Sequence, residues 1–194
     1  MARAEKYLKI LEVSLKMFAR YGYKKTFMAD IANELGLTKG TLYLYAKDKR
    51  DLYEKAVIYG MSKWQLSVLR ELAGVDDPME QFKIVTRAPF YYLSRDEDMR
   101  KIFIHDPSIF PIYAGEEDPF YEINQQSMGV TKYIIQRGIE QKRFREVDVD
   151  KYVEMMFSLY SLYLHKVYIK GEGADAEVMY EIAADLALNG IALK

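Results

Sequence analysis

Apolar residues recur at three- and four-residue steps through most of this chain, and no stretch alternates convincingly enough for a strand. Between residues 5 and 21, Leu8, Leu11, Leu15, Phe18 and Tyr21 repeat with the helical period, while Lys6, Lys9, Glu12, Lys16 and Arg20 fall mostly elsewhere. Gly22 then stands where a helix end favours a left-handed residue. Thr26 is placed to cap a second helix, whose inward side carries Ile31, Ala32 and Leu35, and Gly36 ends it after about two and a half turns. Thr38 caps a third, from Lys39 to about Ala46. Asp48, with Asp51 three residues on, is an acidic version of the capping box and opens a fourth, which runs to about Leu72.

The remaining chain continues in the same style. Asp77-Pro78 opens a helix to about Leu93, and Asp96 caps a short one to about His105. The segment from Asp106 to Asp118 holds two prolines and a glycine and reads as a loop. Asp118-Pro119 starts a helix through about Lys142, Asp148 or Asp150 one to Lys170, and Asp175 one to about Leu193. The expectation is an all-α chain of about nine helices, with no internal repeat and no low-complexity linker.

Two short helices turning at Gly36 form a helix-turn-helix candidate, with Ala32 small enough to let the next helix cross closely. With Leu42 inward at about 100° per residue, Ala46 lies beside it while Gly40 and Leu44 point away, flanked by Thr41, Tyr43 and Lys47. Such a face suits a DNA groove. Gly40 removes bulk near base edges; Lys39 can reach guanine O6 and N7; Thr41 and Leu44 can pack on thymine methyls. Tyr43, Thr26, Lys47 and Lys49 suit phosphate oxygens, which fix register rather than sequence.

Charge supports that reading. Net charge is −1, but residues 1–63 hold 13 Lys+Arg against 7 Asp+Glu, whereas residues 64–194 hold 15 against 22. A basic N-terminal third on an acidic body points to an anionic partner, nucleic acid first. There is no cysteine, which excludes disulfide frameworks and thiolate zinc sites, and the two histidines, His105 and His165, argue against an imidazole metal site. No apolar signal segment opens the chain, so a cytoplasmic location is expected.

The stretch TFMADIANELGLTKGTLYLYAKDKRDLYEKA, Thr26 to Ala56, together with FARYGYKKT, Phe18 to Thr26, resembles the DNA-binding signature of the TetR family of transcriptional regulators. By position, Thr26, Thr38, Lys39, Gly40, Thr41, Tyr43, Tyr45 and Lys49 fall where members of that family touch DNA. Ala46 stands where the family usually has a bulky aromatic, which predicts looser packing of the third helix. Leu44 replaces a commonly polar or aromatic residue, so the operator sequence does not carry over. The resemblance implies residues 1–47 as a three-helix DNA-binding domain and residues 48–194 as a helical ligand-binding and dimerisation domain. It also implies a homodimer through the last two helices and a small-molecule cavity in the body.

The eighth helix fits that picture, since 13 of the 18 residues from Tyr152 to Ile169 are apolar, as expected of a helix buried on several sides. Glu154, His165 and Lys166 argue against a membrane span. Small residues in the ninth helix, Ala183, Ala184, Ala187, Gly190 and Ala192, permit close helix approach. For the cavity the candidate lining is Trp64, Phe90, Tyr91, Phe103, Tyr133, Phe157, Tyr160 and Tyr163, with His105, Gln136 and Arg137 supplying polar groups. Any one of these aromatics also reads as plain core. No cofactor, metal site or catalytic set is expected. Gly171-Glu-Gly173 lacks the strand and the lysine-serine/threonine ending of a phosphate loop, and Glu116, Glu117, Asp118 and Glu122 read as a solvated loop. The function expected is a repressor that leaves double-stranded operator DNA when a small hydrophobic or aromatic effector binds. The alternatives are a ligand-binding or enzymatic helical dimer with a vestigial helix-turn-helix, or a non-specific DNA-packaging protein.

Overall fold

Residues 3–111 and 115–193 are described by a computed structural model of the chain. Among the described residues nine α-helices follow one another: α1 Arg3–Lys25, α2 Met28–Glu34, α3 Lys39–Tyr43, α4 Lys49–Leu72, α5 Pro78–Arg95, α6 Glu97–His105, α7 Tyr121–Glu140, α8 Val149–Leu164 and α9 Gly173–Ile191. Four aspartates start helices by accepting a first-turn amide: Asp48 from Asp51, Asp77 from Met79, Asp96 from Met99 and Asp148 from Lys151. The Asp51 carboxylate reaches back to the amide of Lys47, one residue beyond the usual partner in a capping box. Gly22 (φ 76°) and Gly36 (φ 64°) adopt the left-handed backbone that their positions called for.

Several boundaries differ from expectation. Helix α3 is only one turn and a half, and its last carbonyls are met by the turn amides of Leu44, Tyr45 and Ala46. Helix α7 starts at Tyr121, because the Asp118 carboxylate is spent on the amide of Phe120 in the preceding turn. Helix α8 widens into a π-helical turn at His165–Ile169. Helix α9 begins at Gly173 rather than Asp175, and Glu172 makes no side-chain cap. The expected loop from Asp106 to Asp118 opens with a 3-10 turn, Pro107–Ile109; its residues 112–114 lie outside the described residues. A single bridge, Phe144 to Ala192, ties the segment before α8 to the end of α9.

Helices α1 to α3 and the start of α4 enclose one end of the core, with Ile10, Phe18, Ile31, Leu42 and Leu52 fully buried. Leu8 and Tyr21, which share the helical period of α1, are half exposed, while Ile10 takes the inward position. The looser packing expected at Ala46 is not seen. Ala46 is 2% exposed, and Tyr45 beside it stacks on Tyr7 of α1 at 6.1 Å.

Helix α1 packs against both α4 and α6, which joins the N-terminal unit to the body. Tyr53 of α4 donates a 2.9 Å hydrogen bond to Asp106 at the end of α6, and burial, then that carboxylate, raise its phenol above the ordinary tyrosine value. Farther along, a Cβ at Gly138 of α7 would strike the ring of Phe144. Gly138→Ala is therefore expected to cost about 1–3 kcal/mol in overpacking, measured as a lowered midpoint in urea unfolding with an unchanged slope. Among the described residues no helix is long and apolar enough to cross a membrane.

Candidate nucleic-acid interface and ligand cavity

Helix α3 is held from below by Leu42 and Ala46, both buried, and started by Thr38. The Thr38 hydroxyl accepts the amide of Thr41 at 3.1 Å and pairs with its hydroxyl at 2.8 Å. That geometry leaves Lys39, Gly40, Tyr43 and Leu44 facing outward, with Leu44 78% exposed at the tip. The Lys39 ammonium lies 5.8 Å from the centre of the Tyr43 ring, and Lys47 projects from the turn that follows. A short rod thus presents a cation, a phenol, a bare backbone and an apolar side chain together. These are the kinds of group that read base edges and thymine methyls in a major groove.

Three expected DNA-facing residues are differently placed. Thr26 does not cap α2, which starts after Phe27 without a side-chain cap. Its side chain is 1% exposed, and its hydroxyl donates to the carbonyls of Gly22 (2.8 Å) and Met17 (3.3 Å). It fastens the α1–α2 corner, with its hydroxyl hydrogen engaged by those carbonyls. Lys49 is half buried, donates to the Tyr23 carbonyl at 2.9 Å and lies over the Tyr23 ring at 4.3 Å, so part of its donor capacity is already spent. Tyr45 is half buried against Tyr7. The sequence reading also passed over Phe27, 61% exposed beside Lys49, and the exposed Lys24 and Lys25. An aromatic at a helix start beside a lysine pair was the available signal.

In the body, α4, α5, α7 and α8 surround a cavity of about 240 Å³. One wall is apolar and aromatic: Val85, Ala88 and Pro89 of α5, with Val153, Met156, Phe157 and Tyr160 of α8. The lining also carries uncharged polar groups: Gln65 of α4 with Gln126, Ser127 and Thr131 of α7. Gln65 is fixed there, its amide nitrogen donating to the Ile123 carbonyl at 2.6 Å and to the Ser127 hydroxyl at 2.7 Å. Tyr180 of α9 closes one side by donating to the Thr86 carbonyl at 2.8 Å. Burial pushes the Tyr160 and Tyr180 phenols above their usual range, which keeps both neutral.

Of the expected lining, Trp64, Phe157 and Tyr160 border this cavity. The others sit on the expected helices but on other faces. Phe90 packs on Tyr180 at 4.7 Å and Phe103 on Phe110 at 5.3 Å, both as core. Tyr91 and Tyr133 are exposed, and Gln136 faces outward. Arg137 reaches Asp76 on the surface. Tyr163 packs on Tyr180 outside the cavity, and His105 lies in an open groove beside Tyr53 and Asp106. The polar wall was missed altogether, although Ser127 and Thr131, one turn apart on α7, gave a helical signal for it.

The exposed α3 after the turn at Gly36 gives a helix-turn-helix at one end of an all-α fold. Residues 10–56 match the family model for bacterial regulatory proteins of the tetR family. The helix-turn-helix transcriptional regulator YerO of Bacillus subtilis is 28% identical over 125 residues, covering 63% of this chain and 43% of that protein; the chain thus matches less than half of its length. A TetR transcription regulator from Haloarcula marismortui superposes with a TM-score of 0.82 at 15% identity, over 98% of this chain and 100% of the other. The regulator FadR of Bacillus subtilis, solved with stearoyl-CoA, gives 0.77 at 19% identity, over 95% and 99%. Over residues 10–56 the chain is thus similar to bacterial regulatory proteins of the tetR family, and over its length it shares the fold of these solved regulators.

Proposed function

We propose that this chain is a homodimeric, sequence-specific repressor that leaves its operator when a small apolar molecule fills the body cavity. One observation carries the reading: a single 24-residue helix, α4, connects the two sites. At its start Lys49, Leu52 and Tyr53 are packed with the α1–α3 unit, and farther on Met61, Trp64, Gln65, Val68 and Leu69 border the cavity. A molecule that moves the far end of α4 therefore moves α3. To shift operator occupancy from 99:1 to 1:99, it must prefer the released conformation by about 5.5 kcal/mol, and operator must weaken its binding by the same factor. Residues 1–47 act as the reading domain and residues 48–194 as the sensing and pairing domain, working in the cytoplasm by binding rather than catalysis.

Pairing uses the outer face of the last two helices. Val178, Ile182 and Leu186 of α9, four residues apart, are 52%, 56% and 67% exposed, and Met155 and Leu162 of α8 are also exposed. A contiguous apolar stripe of this kind suits a second copy. Two copies set their α3 rods about 34–36 Å apart, one turn of the duplex. The test is selection from a random duplex pool, followed by anisotropy titration of the enriched sequence. A palindromic site held at least 10³-fold tighter than random duplex is expected. Binding with no preferred sequence overturns the reading in favour of a packaging protein or a vestigial reading head.

A further inference from the structure

The cavity wall restricts what can occupy it. Among the described residues no carboxylate, ammonium, guanidinium or imidazole borders it, and its two phenols are held neutral. An ion brought inside leaves water without gaining a partner of opposite charge, a cost of several kcal/mol even after relaxation. The volume of about 240 Å³ is small: scaled from benzene in an apolar cavity of about 150 Å³, it holds roughly ten non-hydrogen atoms.

Gln65 of α4, held by Ser127 of α7, sets the polar end, next to the ring of Trp64. The Trp64 indole N–H has almost no accessible surface and no acceptor among the described residues, so Trp64 borders the cavity with its ring and not with that donor. Beside it, both hydrogens of the Gln65 amide nitrogen are engaged by Ile123 and Ser127. The orientation of that amide is thereby fixed, because the Ile123 carbonyl can only accept. What Gln65 has left to offer is its amide oxygen, an acceptor. From α8, Phe157, Met156 and Val153 offer the cavity only apolar surface.

We infer that the cavity selects an uncharged, compact molecule of roughly ten non-hydrogen atoms, carrying at one end an amide or alcohol that donates to the Gln65 amide oxygen. It rejects carboxylates and ammonium ions of the same shape. This rests on the reading of the cavity as the effector site and adds the chemical class that the site takes.

Trp64 is the only tryptophan in the chain, so its emission reports on this wall alone. The purified full-length protein, without DNA, is titrated with three near-isosteres at neutral pH: 3-phenylpropanamide, 3-phenylpropanoate and 3-phenylpropylammonium. The amide is expected to shift Trp64 emission saturably, with each ion at least 100-fold weaker. The same change on the outward face of α7, Gln136→Leu, is expected to keep binding, and Gln65→Leu to weaken the amide at least 10-fold while leaving the ions where they were. An ion that binds as well as the amide overturns the selectivity, as does failure of all three to saturate. Operator release is measured separately, by anisotropy of a bound duplex. An amide that binds at Trp64 without displacing DNA leaves this inference standing and overturns the repressor reading instead.

Discussion

Replacing Ile182 and Leu186 together by glutamate is expected to leave the chain folded, make it monomeric and strip it of operator binding. Both side chains stand on the outer stripe of α9, 56% and 67% exposed, so little core contact is lost. Glutamate is also a better helix former than isoleucine, so α9 itself is not weakened. In a symmetric pair each substitution is made twice, and four carboxylates would face one another across an apolar seam. Unpaired charges at the centre of such an interface cost several kcal/mol. Light scattering should report the monomer mass at concentrations where the unsubstituted chain is paired. A lone reading head keeps one half-site and loses the tethered second contact, which is worth about 10²–10⁴ in affinity. Circular dichroism and thermal unfolding should remain near those of the parent. A variant that stays paired places the interface elsewhere on the body, and one that is monomeric yet binds operator as before removes pairing from the mechanism.

The features legible in the sequence are those decided within a few residues. Asp48, Asp77, Asp96 and Asp148 cap helices because an N-cap needs only its own first turn. The inward Leu42 and outward Gly40 and Leu44 follow from periodicity alone, since α3 is covered from one side. Thr26 shows where local reasoning stops. It sits where a cap is wanted, but the backbone of α1 folds back at Gly22 and presents carbonyls closer than the amides of α2. Lys49 shows the same limit, because the Tyr23 carbonyl that holds it comes from 26 residues earlier.

The body was harder for a physical reason. A helix at the surface of a fold has one apolar face, but α5 and α8 each touch several neighbours, so an aromatic on them can face core, cavity or partner. Phe90 and Phe157 look alike in the sequence; one meets Tyr180 and the other borders the cavity. Pro89 is different. It lies inside α5 and lacks the amide hydrogen that would bond the Val85 carbonyl, and both residues border the cavity. A proline at a mid-helix position removes one backbone hydrogen bond beside the cavity, a feature that apolar periodicity does not register.

Replacing Gly40 with leucine is expected to separate stability from recognition. A Cβ at Gly40 would meet only the Thr38 hydroxyl, at 3.9 Å, and the backbone there is not left-handed. Nothing inside the fold therefore requires a glycine at this position. Leucine in an exposed first turn gains helix propensity over glycine, so the variant should unfold at an equal or higher temperature, by up to about 1 kcal/mol in stability. On the DNA side the change is opposite in sign. The α3 rod is short, and Gly40 is adjacent to Lys39 on the exposed face proposed to approach base edges. An isobutyl group there holds the helix away by more than the length of a hydrogen bond, and the base contacts fail together. Each good base contact is worth about 1–3 kcal/mol, so operator affinity should fall at least 100-fold while binding to random duplex, governed by phosphate contacts, changes little. Anisotropy titrations against the selected operator and against random duplex measure the two losses. If operator and random duplex weaken equally, Gly40 sits over the phosphates rather than the bases. If neither weakens, α3 is not the element that enters the groove.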